Sequence, residues 1–145
     1  MRTCMEECLN YLKFSRTEKE VRNYLYDMDY KTNEIEDAIA YANELKYIDD
    51  YDYAYAYVND HVLINKWGPI KIKLKLKEKG IPEEYINNAL MDNEKDIMNN
   101  LYQQFEKKAN SLDLSDQKDK NKIIRHLLNK GYNYSEISEV LNSYE

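Results

Sequence analysis

The sequence predicts an all-α fold: three tandem three-helix repeats forming an elongated, curved solenoid-like body. Three observations carry this expectation. Only three glycines and two prolines punctuate the 145 residues, too few for the many tight turns of a sandwich or barrel. Apolar residues recur as i, i+4 pairs, the spacing of amphipathic helices. The apolar pattern also repeats with an offset of 51 residues, as it does when similar helical units are stacked.

The offset is legible residue by residue. Lys79-Gly80-Ile81 recurs as Lys130-Gly131-Tyr132, and the same shift carries Ile72 onto Ile123, Leu76 onto Leu127, Ile86 onto Ile137, Ala89 onto Val140 and Leu90 onto Leu141. In the other direction Val21, Leu25, Ile35, Ala38 and Ile39 fall on Ile72, Leu76, Ile86, Ala89 and Leu90. The expected units are residues 1–48, 49–93 and 94–145.

In the first unit a helix over residues 2–14 turns Leu9 and Leu12 inward. Val21/Leu25 and Ile35/Ile39 mark two more, the last opening at Thr32. Asp29 fills the break where the other units have Gly80 and Gly131, residues suited to the left-handed conformation that closes a helix. The second unit starts after Asp49-Asp50, acid at a positive helix end, and presents Tyr53, Ala54, Tyr57 and Val58. Gly68-Pro69 opens its middle helix, and Pro82 followed by Glu83-Glu84 opens its last. The third unit begins near Asn93-Glu94 and uses Ile97, Leu101, Tyr102 and Phe105. A polar loop over residues 109–120 follows, and Ser135-Glu136 opens the final helix.

Two stretches read differently when taken alone. Residues 51–57 and 70–77 alternate apolar and polar with period 2, as a half-buried strand does. The repeat partners of residues 70–77 do not alternate, and agreement across the units favours a helix. Wound that way, Ile70 and Leu74 form one apolar stripe and Ile72 and Leu76 another nearly opposite, so this helix is expected to contact two neighbours at once.

Composition narrows the chemistry. The three isolated glycines cannot be written into a dinucleotide-binding or P-loop motif. Cys4 and Cys8 are four apart, on one helix face rather than in a Cys-x-x-Cys hook, and read as ordinary reduced thiols. His61 and His126 have no ligand-spaced partners, and no nucleophile–base set can be assembled. An enzyme is therefore not expected, nor any cofactor or metal. No apolar stretch approaches the roughly 20 residues that cross a bilayer, and Met1-Arg2-Thr3-Cys4-Met5-Glu6-Glu7 lacks the pattern of a secretory signal. A soluble, cytoplasmic protein is expected, monomeric and without a membrane partner.

Charge is unevenly placed. The chain carries a formal net charge of −6, yet Lys66, Lys71, Lys73, Lys75, Lys77 and Lys79 stand against Glu78 alone between residues 66 and 80. Any contact with nucleic acid or with an acidic surface is expected there, against the alternative of a solvated lysine face. Trp67 reads either as a plug at a unit junction or as an aromatic anchor for a partner.

These residues resemble a known family. Tyr47-Ile48-Asp49-Asp50-Tyr51-Asp52-Tyr53-Ala54-Tyr55-Ala56-Tyr57-Val58 is similar to the aspartate-pair, aromatic-Ala, aromatic-Val signature of RecX regulatory proteins. Gly68-Pro69-Ile70-Lys71-Ile72, then Leu76 and Lys79-Gly80-Ile81, resembles that family's second signature. Leu12, Arg16, Glu18 and Val21 fit its opening unit, and Leu127, Leu128, Lys130 and Gly131 its closing one. Lysine stands where many relatives have arginine, and Ile70 where a basic residue is common. The resemblance implies a non-enzymatic regulator that lies in the groove of the RecA recombinase filament on DNA and suppresses its ATPase, strand exchange and SOS activity. Lys66, Trp67, Lys71, Lys73, Lys75, Lys77 and Lys79 are the expected contacts, with weak binding to single-stranded DNA alongside. A helical DNA-binding transcriptional regulator and a generic helical-repeat scaffold are the other readings. The lysines suit phosphates better than base edges, which counts against the former.

Overall fold

A computed structural model describes residues 1–144. Among them are nine α-helices and no strand: α1 (Cys4–Tyr11), α2 (Glu18–Asp27), α3 (Thr32–Glu44), α4 (Asp50–Leu63), α5 (Pro69–Glu78), α6 (Glu83–Asp92), α7 (Glu94–Ala109), α8 (Gln117–Asn129) and α9 (Tyr134–Ser143). Both alternating stretches are helical, as the repeat requires. The chain forms two compact units, one of residues 1–56 and 76–86, the other of residues 57–75 and from Asn87 onward, so α4, α5 and α6 contribute to both.

In the first unit α1, α2 and α3 pack on one another around Cys8, Val21, Leu25, Ile35, Ala38, Ile39 and Ile48. The two i, i+4 pairs read from the sequence supply much of this core, and each fully buried aliphatic side chain contributes about 1.5–3 kcal/mol. Helix α1 is shorter than expected, and Cys4, Glu7 and Cys8 are its buried residues. Leu12, just past its end, packs partly buried against this core as read, while Leu9 is partly exposed. Glu7 is tolerated there because its carboxylate accepts from the Tyr24 hydroxyl at 2.6 Å and meets Arg2 at 3.4 Å, pairing the charge that burial would otherwise penalise.

In the second unit α7, α8 and α9 pack together around Leu101, Phe105, Ile123, Leu127, Tyr132 and Ile137. Tyr102, expected inward, is exposed. Asn100 is buried on α7 beside Ile97, Leu101 and Phe105, and its amide donates to the Val62 carbonyl at 2.9 Å.

The repeat is written in the backbone. Asp29, Gly80 and Gly131 have φ of 66°, 82° and 97°, and each closes a helix in the same way. Tyr30, Ile81 and Tyr132, one residue on, donate their N–H groups to the carbonyls of Leu25, Leu76 and Leu127 at 3.3, 3.1 and 3.1 Å, the long bond of a Schellman motif. Short polar side chains cap several starts, Thr3, Thr17 and Asp116 among them. Helix α3 opens at Thr32 as read, while α9 is capped by Asn133 rather than Ser135, Asn133 accepting from the Ser135 N–H at 2.8 Å.

Candidate functional site

Helix α5 carries most of the lysines singled out in the sequence, and both of its ends are held firmly. At its start the Gly68 N–H donates to the Lys130 carbonyl at 2.8 Å and the Ile70 N–H to the Gly131 carbonyl at 2.9 Å. Two orphan groups of the helix opening are thus satisfied. The backbones touch so closely that a Cβ on Gly68 would lie 2.4 Å from the Gly131 carbonyl carbon. At its far end, within the first unit, the Thr17 hydroxyl donates to the Lys79 carbonyl at 2.8 Å and the Lys19 ammonium to the Glu78 carbonyl at 3.1 Å. Thr17 simultaneously caps α2 in a reciprocal box with Glu20, so one buried threonine fixes two helix ends.

Ile72 and Leu76 point inward and are fully buried. The opposite stripe is not buried as expected: Ile70 and Leu74 are 52% and 57% exposed. Helical periodicity sets Lys71 and Lys75 along one edge of that stripe and Lys73 and Lys77 along the other. The result is an apolar ridge between two rows of ammonium groups, on a helix already anchored by its other face.

The lysines differ in their surroundings. Lys71 Nζ sits 4.5 Å from the centre of the Trp67 ring, within cation–π range. Trp67 stacks on His61, with 4.2 Å between centroids and 7° between planes, and His61 leans on Tyr57 at 4.1 Å. His61 Nδ1 lies 2.6 Å from Asn65 Oδ1, a pairing in which the ring nitrogen carries the proton. Trp67 is thus half-buried within an aromatic column. Lys66 has a left-handed backbone, φ 58°, and its carbonyl accepts from the Tyr132 hydroxyl at 2.7 Å and from the Gln104 amide at 3.0 Å.

Lys77 and Lys79 belong to the first unit, where acids meet them. Lys77 is 3.8 Å from Glu83, an exposed pair of little energetic weight. Lys79 is 3.5 Å from Glu20. Burial pulls the Lys79 ammonium down, but Tyr53 and Glu20 outweigh it and hold its pKa above the ordinary value. Lys79 thus braces its own unit.

The aspartate pair has separate duties. Asp49 Oδ1 accepts from the Asp52 N–H at 3.1 Å and caps α4. Asp50 Oδ1 accepts from the Glu18 N–H at 3.0 Å, at the start of α2. Glu18 in turn accepts from Asn43 at 2.8 Å and meets Arg22 at 3.2 Å.

This order of capped, repeated helices can be set beside known proteins. Residues 49–90 match the model of the second three-helix domain of RecX, and residues 94–141 that of the third. The crystal structure of RecX from Lactobacillus salivarius superposes with a TM-score of 0.86 at 33% identity, over 97% of this chain and 93% of that one. The chain belongs to the RecX family. Its second and third helical units are therefore RecX three-helix domains. It is 38% identical over 134 residues to the regulatory protein RecX of Streptococcus pneumoniae strain CGSP14, covering 88% of this chain and 50% of that protein. The protein of the same name from strain ATCC 700669 is 37% identical over the same length. The chain thus spans about half the length of these curated relatives. A second RecX crystal structure, at 23% identity and a TM-score of 0.82 over 96% of this chain and 70% of that one, shares the fold. RecX proteins are regulators by name, a family of regulatory proteins rather than of enzymes. Among the described residues no helix is long and apolar enough to cross a membrane.

Proposed function

We propose that this RecX protein binds the RecA recombinase filament on DNA and lowers its ATPase, strand exchange and SOS activity, docking through the outward face of α5. The observation that supports this reading is the pairing of an exposed Ile70/Leu74 ridge with flanking lysines on a helix already anchored by Ile72 and Leu76. A purely solvated lysine face has no need of two large aliphatic side chains in water. A protein partner that presents an apolar strip edged with carboxylates would cover both. The lysines bring charge attraction and orientation, and the ridge supplies the area removed from water. Weak attachment to single-stranded DNA accompanies this role, because ammonium groups neutralise phosphates while the net-acidic chain repels a polyanion at longer range. The protein acts as a cytoplasmic monomer.

The test is RecA-catalysed ATP hydrolysis on single-stranded DNA with and without this protein. Hydrolysis slows at substoichiometric amounts if the reading is right. An unchanged rate with the protein in excess over the recombinase overturns it.

A further inference from the structure

A second basic feature lies away from the outward face of α5. In the second unit Lys66, Lys107, Lys108, Lys130 and His126 line one cleft of about 610 Å³. They come from three separate segments: the stretch before α5, the last turn of α7, and the end of α8 with its C-cap. Helix ends favour such residues, because cations offset the negative end of the helix dipole. That preference explains each lysine singly but not their convergence, since gathered ammonium groups repel one another.

Among the described residues no carboxylate lines the cleft, although acidic residues outnumber basic ones in the chain by 27 to 21. The histidine registers the local field. Burial first, then Lys108 and Lys130, hold the His126 imidazole below its ordinary pKa. Four ammonium groups around a partly desolvated space leave the site short of negative charge.

The walls are set in advance. Lys130 Nζ donates to the Asn65 carbonyl at 3.1 Å. The Lys66 carbonyl is held by Tyr132 and Gln104, whose amide also donates to the Tyr132 hydroxyl at 2.8 Å. The Gln103 amide and the exposed side chain of Ile64 complete the rim. A cleft of this size accommodates a small organic ligand, and lysine recognises phosphate as a point charge. A single carboxylate would balance one of the four ammonium groups. Two or three linked phosphates would balance most of them.

We propose that this cleft is a binding site for a polyphosphate group, carried by a nucleoside triphosphate or presented as successive phosphates of a nucleic-acid strand. The site is independent of the filament reading, and its test contains no recombinase. Inorganic tripolyphosphate is titrated into the full chain by calorimetry and by NMR of the His126 ring. It binds, and the His126 pKa rises as the anion offsets Lys108 and Lys130. Lys107→Gln/Lys108→Gln weakens binding by about 100-fold, roughly ten-fold for each charge-assisted contact. Lys66→Gln, on a different segment, weakens it about ten-fold. Lys13→Gln/Lys95→Gln, at two exposed lysines that do not line the cleft, changes it by less than about two-fold, as expected of residues outside the site. Each variant is checked for wild-type circular dichroism and thermal midpoint.

A nucleoside triphosphate and a short single-stranded oligonucleotide then compete with tripolyphosphate, and the one that displaces it at the lower concentration identifies the source. Absence of tripolyphosphate binding overturns the proposal. So does binding that Lys107→Gln/Lys108→Gln leaves unchanged, or binding that neither competitor displaces.

Discussion

Gly68 and Gly131 meet backbone to backbone: a methyl group on Gly68 would lie 2.4 Å from the Gly131 carbonyl carbon and oxygen, and one on Gly131 would lie 2.3 Å from Lys71 Cβ. Gly131 is further constrained by its φ of 97°, which an L side chain rarely adopts. Gly131→Ala therefore combines strain with a collision at the start of α5, at a cost of about 3 kcal/mol or more. Gly68→Ala carries the collision alone and costs about 2 kcal/mol. Urea unfolding midpoints check the order: Gly131→Ala lowest, Gly68→Ala next, wild type highest.

Asp50 caps α2, yet its carboxyl pKa stands above the usual value, chiefly through burial and further through Glu18, Asp49 and Glu20. A carboxyl group raised on folding stabilises the native state below its unfolded pKa of about 3.9, and loses that contribution as pH rises through the folded value. At pH 7 its charge is thus a net cost. Asp50→Asn keeps an oxygen to accept from the Glu18 N–H and removes the charge, so it raises the thermal midpoint at pH 7. The gain disappears at pH 3, where aspartate itself is largely protonated. A midpoint lowered at pH 7 would contradict this account.

Cys8 is fully buried, and its thiol is pushed up to about 11, first by burial and then by Cys4. Cys4 is buried too and shifted in the same direction, by burial and then by Glu34. Since the thiolate is the reacting species, a disulfide reagent at neutral pH modifies neither residue in the native protein within the time that it modifies both in urea. Absorbance of the released thiolate follows the two rates.

His126 responds in the opposite sense to Asp50. Its folded pKa is lowered by burial, Lys108 and Lys130, so the unfolded chain takes up the proton first. Stability that is complete above about pH 6.5 declines as pH falls toward the folded value. Lys108→Gln removes one source of repulsion and makes the decline between pH 7 and 5.5 shallower. Chemical unfolding across that range measures it.

The fold was largely legible because the information that sets it is local and repeated. The i, i+4 pairs name the buried face of each repeated helix, and the slot shared by Asp29, Gly80 and Gly131 marks three helix ends. What the sequence hid depends on partners distant in the chain. Thr17 stands three residues before Glu20, a capping-box spacing open to view, but its second bond to Lys79 is written nowhere in that motif. The outward stripe of α5 carried no sign that Ile70 and Leu74 would stay in water. The basic cleft was missed for a definite reason. Charge counted along the chain finds the lysines of residues 66–80 and dilutes Lys107, Lys108 and Lys130 among the acids of the last third. Only folding brings them beside Lys66 and His126.

The outward face of α5 makes two separable contributions to filament binding, and two variants tell them apart. Ile70 and Leu74 are about half exposed, so covering what remains of them contributes roughly 1 kcal/mol each, about 30-fold in affinity together. Ile70→Ser/Leu74→Ser therefore speeds dissociation from RecA filaments by about that factor. Because no charge changes, the salt dependence of association keeps its slope. Lys71→Gln/Lys75→Gln does the reverse, slowing association at low salt and flattening its salt dependence, since those ammonium groups act by attraction before contact. Neither pair is part of the buried core, and surface changes of this kind shift stability by no more than about 0.5 kcal/mol, so thermal midpoints near the wild-type value separate docking from folding. Interferometry on immobilised filaments at several salt concentrations yields both rates. If both variants keep their midpoints and still bind and inhibit filaments as the wild type does, the ridge and its lysines are a solvated surface, and the partner docks elsewhere.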